Sequence, residues 1–129
     1  MVLDNRKQLL VVEDDQSIAR VIEIFLSQKG FDVKAVDSSE EAINCAKDTT
    51  YDFFMVDLVL TGENGFEFVR KIRKLPQYFR TPVVIMTARL AADDEDVVSA
   101  AGADGLIIKP FDLENMASIV EDLYLEKMT

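Results

Sequence analysis

From Tyr51 to Leu60 a nearly continuous apolar run is driven into one carboxylate, Asp57. A short run of this kind, bounded by turn residues, is the pattern of a strand buried on both faces. Such strands occur in parallel sheets covered by helices on either side. In open α/β sheets, ligands bind outside the carboxyl ends of the strands. An acid that ends a buried strand therefore lies where chemistry is done, and Asp57 is the first candidate residue.

Three further runs end in the same way. The run from Gln8 to Val12 delivers Glu13, Asp14 and Asp15, the run from Pro82 to Met86 delivers Thr87, and Leu106 to Ile108 delivers Lys109 and Pro110. Between them lie helical patterns. Ile18, Val21, Ile22, Phe25 and Leu26 recur at helical spacing and predict a helix with that stripe on the sheet, closed by Lys29 and Gly30. Phe31 to Val36 reads as an outer strand. Ser38 to Glu41 forms a capping box that opens a second helix through Ala42, Ile43 and Ala46. Leu58 to Gly65 is a loop rich in turn residues, followed by a helix with Phe68, Val69 and Ile72 inward that Pro76 stops. A fourth, thin stripe runs through Val97, Val98 and Ala101. Gly102 and Gly105 bracket the turn into the last strand. Asp112 caps a final helix whose Met116, Ile119, Val120 and Leu123 face the core. Five strands alternating with five helices imply a parallel sheet with right-handed crossovers.

The chain has 129 residues, enough for one domain with its own core, and 49% of them are apolar. No apolar run approaches the roughly 20 residues of a membrane span, and the amino terminus has no hydrophobic signal region, so a cytoplasmic, non-membrane protein is expected. The single cysteine, Cys45, falls in a helical pattern and reads as a structural thiol. A formal charge of -10 repels phosphate backbones and argues against direct nucleic-acid binding. With no histidine, the usual general base and the commonest metal ligand are both absent, so any cation must accept oxygen ligands. If the first and third strands are neighbours, their ends lie about 5 Å apart, and Asp14 and Asp57 converge with Glu13 close behind. Two carboxylates about 4 Å apart repel by roughly 4 kcal/mol at an effective dielectric of 20, a cost that a divalent cation removes. A small, open, all-oxygen site fits Mg2+. The acids from Asp93 to Asp96 read instead as an ordinary helix N-terminus.

A carboxylate pair, a lone carboxylate, a hydroxyl and an ammonium, each ending its own strand, resemble the receiver domain of bacterial two-component response regulators. The likeness runs from about Gln8 to Glu126 and implies a flavodoxin-like doubly wound sheet in strand order 2-1-3-4-5, one domain over residues 1–129. It implies that Asp57 accepts a phosphoryl group, and that Mg2+ is held by Asp14, Asp57 and the backbone carbonyl of Val59, with Glu13 acting through water. Thr87, the Ala88 backbone and Lys109 would bind the phosphoryl oxygens. Thr87 and Leu106 would form the switch that alters the face of the fourth helix, fifth strand and fifth helix. Val59 and Arg89 would tune dephosphorylation. The implied partners are a sensor histidine kinase or histidine phosphotransfer protein and a downstream protein or output domain; the only catalysis implied is of the domain's own phosphorylation and dephosphorylation. A cis bond at Lys109-Pro110 is implied as well.

The chain departs from the family pattern in three places. Glu13 is longer than the aspartate often found at its position. Leu60 and Thr61 stand where Met-Pro is often found, and Leu106 replaces an aromatic residue. Rival readings fit less well. A nucleotide-binding domain needs a glycine-rich turn where this chain has Glu13, Asp14 and Asp15, and a haloacid-dehalogenase-type phosphatase needs an acid where this chain has Val59. A pseudo-receiver would have lost one of the key residues, and none is missing.

Overall fold

A computed structural model describes residues 6–60, 63–88 and 102–128. The main sheet is built from β1 (Lys7–Val12), β2 (Phe31–Val36), β3 (Phe53–Asp57), β6 (Val83–Thr87) and β7 (Gly105–Ile108). Its order is β2-β1-β3-β6-β7, with every pairing parallel. This is the expected 2-1-3-4-5 order, because the two intervening strands, β4 (Val59–Leu60) and β5 (Glu63–Asn64), form a separate antiparallel ribbon. That ribbon corrects the reading of 58–65 as plain loop. Strands of two residues are too short to show an alternating pattern in sequence.

The helices among the described residues are α1 (Gln16–Ser27), α2 (Ser39–Asp48), α3 (Gly65–Arg73) and α4 (Leu113–Met128). The expected helix through Val97, Val98 and Ala101 lies outside the described residues. Capping chemistry sets the starts. Asp15 accepts from the amides of Ser17 and Ile18, Ser38 accepts from Glu41, and Asn64 accepts from Glu67. The Asp112 carboxylate accepts from the Glu114 amide, as expected of a cap. At the end of α1, Gly30 takes φ +99°, a left-handed conformation that glycine adopts without steric cost. The third helix ends at Arg73, and Pro76 opens a short 3-10 turn to Tyr78. Gly105 is the first residue of β7, at the strand side of the turn that it brackets with Gly102, and a Cβ there would come within 2.8 Å of the Leu123 side chain.

Side chains alternate along the strands, so one sheet carries two cores. Leu10, Val12, Phe54, Val56, Val83 and Ile85 pack with α2 and α3, while Leu9, Val11, Phe53, Met55, Val84 and Met86 pack with α1 and α4. Phe68, Val69 and Ile72 are fully buried, as the helical stripe requires. In α1 the buried line is Ala19, Ile22 and Leu26, whereas Val21 is 45% exposed. Of the expected stripe, Ile22 and Leu26 are fully buried and Ile18 and Phe25 pack part-buried against the same core; Val21 lies at its edge, and Ala19 is buried in addition. Leu9 to Val12 of β1 and all of β3 and β6 are buried on both faces, so the polar side chains that end or follow them, Glu13, Asp57 and Thr87, gather at the carboxyl ends.

Candidate functional site

Asp57 ends β3 and is 7% exposed. The chain then turns: the Val59 amide donates to Asp57 Oδ1 at 3.2 Å, and the Gly65 amide donates to the Leu58 carbonyl. Gly65 has no room for a side chain, since a Cβ would sit 2.6 Å from the Asp57 carbonyl oxygen. Close packing of α3 on the end of β3 therefore requires glycine there.

Glu13 follows β1, in register beside β3, and is 2% exposed; Asp14, next in the chain, is exposed. Glu13, Asp14 and Asp57 bring one carboxylate oxygen each to within 4.8 Å of one another. From the far side comes Lys109, immediately after β7, its amide held by the Thr87 carbonyl at 2.7 Å. Its ammonium lies 2.5 Å from Glu13 Oε1 and 3.1 Å from Asp57 Oδ2. The Lys109-Pro110 bond is cis. Thr87 ends β6 and is buried, and Ala88 beyond it is exposed. Val59 is 72% exposed on the ribbon, and Leu106 is half-buried against the α2–α3 core. Arg89 lies outside the described residues.

The crowding of acids sets the electrostatics. Burial, and then the hydrogen bond with Asp57, push the Glu13 carboxyl from 4.5 up to about 7, against the opposing pull of Lys109 and the Asp15 amide. Burial works against the Lys109 charge, but Glu13 and Asp57 outweigh it and hold that ammonium above its usual value. Fully ionised, three carboxylates and one ammonium leave a net charge of -2, which one divalent cation would neutralise. Their donors are all oxygen, one acid is exposed and two are buried, and this set suits a small hard divalent ion such as Mg2+.

The structure thus brings together four residues expected from sequence: Glu13, Asp14, Asp57 and Lys109. Thr87 is placed at the end of the strand that lies between β3 and β7. The direct Glu13–Lys109 contact was not foreseen, nor was the use of Asp15 as a helix cap rather than a further site acid.

The response regulator receiver domain model matches residues 9–121, nearly the whole described fold. The chain belongs to the response regulator receiver family. It is 38% identical over 109 residues to the response regulator ArlR of Staphylococcus saprophyticus, covering 84% of this chain and 48% of that protein. ArlR of Staphylococcus aureus is 37% identical over the same length. The receiver chain therefore spans about half the length of these relatives. Among solved structures it is similar to the chemotaxis response regulator CheY4 of Vibrio cholerae, with a TM-score of 0.88 and 27% identity over 92% of this chain and 99% of that one. A two-component response regulator from Clostridium difficile gives a TM-score of 0.87 at 25% identity, covering 96% and 99%.

Proposed function

We propose that this receiver domain accepts a phosphoryl group on Asp57 from a phosphohistidine of a sensor kinase or phosphotransfer protein, and passes the signal to a downstream protein or output domain. The observation that carries this reading is the Lys109 ammonium seated between Glu13 and Asp57, beside three acidic oxygens within 4.8 Å of one another. An Asp57 oxygen attacks phosphorus; the P–O bond forms as the P–N bond breaks, and the electron pair leaves with the donor imidazole. Mg2+, when bound by Asp14, Asp57 and the Val59 carbonyl with Glu13 through water, supplies the charge neutralisation that phosphoryl transfer needs.

The chain's own residues do the positioning. Asp57 Oδ1 is fixed by the Val59 amide, which leaves Oδ2 toward Lys109. Lys109 then transfers its attraction from a carboxylate to the phosphoryl oxygens, joined by the Thr87 hydroxyl and the Ala88 amide. Val59, exposed beside the acceptor, and Arg89 govern how readily water reaches phosphorus. Because the phosphoryl group ends on the protein itself, the domain is a switch and not a turnover enzyme. A protein donor would approach across an open apolar groove beside Lys109, lined by Ile18, Val21, Pro110, Phe111 and Leu113. Its function so read is cytoplasmic.

The test is mass spectrometry after acetyl phosphate treatment. One added phosphoryl group is expected in the wild type with Mg2+, and none in Asp57→Asn or in excess chelator. Labelling that persists in Asp57→Asn would defeat the assignment.

A further inference from the structure

The segment carrying the Val59 carbonyl is held at its far end by a contact outside the acidic cluster. Glu63 on β5 pairs with Leu60 on β4, and its side chain is only 14% exposed. Glu63 Oε2 accepts a hydrogen bond from the hydroxyl of Ser39, at 2.7 Å; Ser39 is the first residue of α2 and is itself 5% exposed. The Lys71 ammonium, from α3, lies 3.1 Å from both Glu63 oxygens. Although burial opposes its charge, these two partners hold Glu63 below its usual carboxylate range. A buried hydroxyl facing a buried carboxylate is costly to leave unpaired, so the ribbon is fixed to α2 more firmly than exposed turn residues would fix it.

Thr61 gives this contact its significance. Position 61 of the chain is threonine, which does not fix φ as a proline would. We infer that Glu63, clamped by Ser39, is a positioning residue that holds the β4–β5 ribbon so that the Val59 carbonyl is preset for Mg2+, supplying by side-chain contact the rigidity a proline at 61 would supply by covalent restraint. This rests on the Mg2+ reading of the acidic cluster. Loss of a contact that orients a metal ligand typically weakens binding by about tenfold or more.

Mg2+ affinity of the unphosphorylated protein, measured by calorimetric titration, tests the inference. Ser39→Ala leaves every charge in place and is expected to weaken Mg2+ about tenfold, with Glu63→Ala similar and the double variant no worse than either. Glu63→Gln keeps an acceptor for Ser39 and should stay within about twofold of wild type. Thr61→Pro added to Glu63→Ala should restore most of the loss. The opposite pattern, with Ser39→Ala unchanged and Glu63→Gln weakened, would mean that Glu63 acts only as distant negative charge and would overturn the inference. Circular dichroism of each variant separates misfolding from misplacement, and Glu63→Gln and Ser39→Ala are mild enough to keep the comparison open. If wild type itself binds no Mg2+, the site reading fails; if wild type binds and all variants match it, only the clamp fails.

Discussion

Lys109 holds two acids unequally, and the closer one, Glu13, is the acid that burial has pushed up to about 7. In the folded protein this carboxyl keeps its proton to about pH 7, whereas in the unfolded chain it releases it near 4.5. Between those values the folded state binds more protons, so the contribution of Glu13 to stability falls as pH rises from about 4.5 to 7 and is level above. Without metal, wild type should lose up to about 3 kcal/mol relative to Glu13→Gln across this window, measured by urea unfolding at several pH values. Parallel curves for the two proteins would show that Glu13 is ionised throughout. At this scale much was legible: Asp57, Glu13, Asp14, Thr87 and Lys109 each stand at the polar end of an apolar run, where a buried strand must stop. The Glu13–Lys109 contact was not, since the two lie 96 positions apart and nothing in either neighbourhood names the other.

Elements are fixed to one another at the end of the sheet away from Asp57 by a single side chain. Arg73, the last residue of α3, donates to the carbonyls of Tyr78 at 2.8 Å, Thr81 at 2.6 Å and Gly102 at 2.8 Å, and pairs with Asp104 at 3.0 Å. Asp104 in turn receives the Val83 amide and the Lys127 ammonium, so α3, β6, β7 and α4 meet at one half-buried charge pair. Basic residues at a helix carboxyl end ordinarily serve the dipole as a solvated end, which holds for the exposed Arg70 but not for Arg73. Charge alone could not distinguish Arg73 from Arg70, Lys71 and Lys74; only the fold brings the carbonyls of Tyr78, Phe79, Thr81 and Gly102 to it. Arg73→Met should cost about 3 kcal/mol by leaving Asp104 and these carbonyls without their shared donor. Arg73→Lys should recover little, because a point ammonium cannot span donors that a planar fork reaches. A lysine variant with wild-type urea stability would show the contacts to be incidental. The stripe of α1 shows a related limit: four of its five expected residues reach the core, but periodicity alone does not say which flanking residue, Val21 or Ala19, is turned inward.

For the molecule as a whole, two cores share one sheet, and a change at the carboxyl ends of its strands can pass along neighbouring strands to the helices packed on either face. Thr87 is buried at the end of β6, in register with Ile108 of β7, and Leu106 two residues earlier on β7 packs against the α2–α3 core. If the Thr87 hydroxyl is drawn toward a phosphoryl group on Asp57, the space it leaves must be filled by a neighbour. An aromatic ring at 106 would fill and vacate such a space as a large rigid unit, and a phenolic hydroxyl would favour its exposed position; leucine has less volume and no polar handle. A ligand shifts an equilibrium only by its differential interaction with the two states, so the part of the response that passes through position 106 should be weak here, while the part that begins at Thr87 persists. Hydrogen exchange with and without beryllofluoride, a phosphoryl mimic, reads both parts at once. The largest change is expected in peptides spanning Thr87 to Ala92, with a smaller one around Leu106. Thr87→Ala should reduce both while Asp57 still accepts phosphate, and Leu106→Tyr should enlarge the second without altering the first. Changes centred on Leu106 that survive in Thr87→Ala would place the origin of the switch elsewhere, on a route that reaches β7 through Lys109.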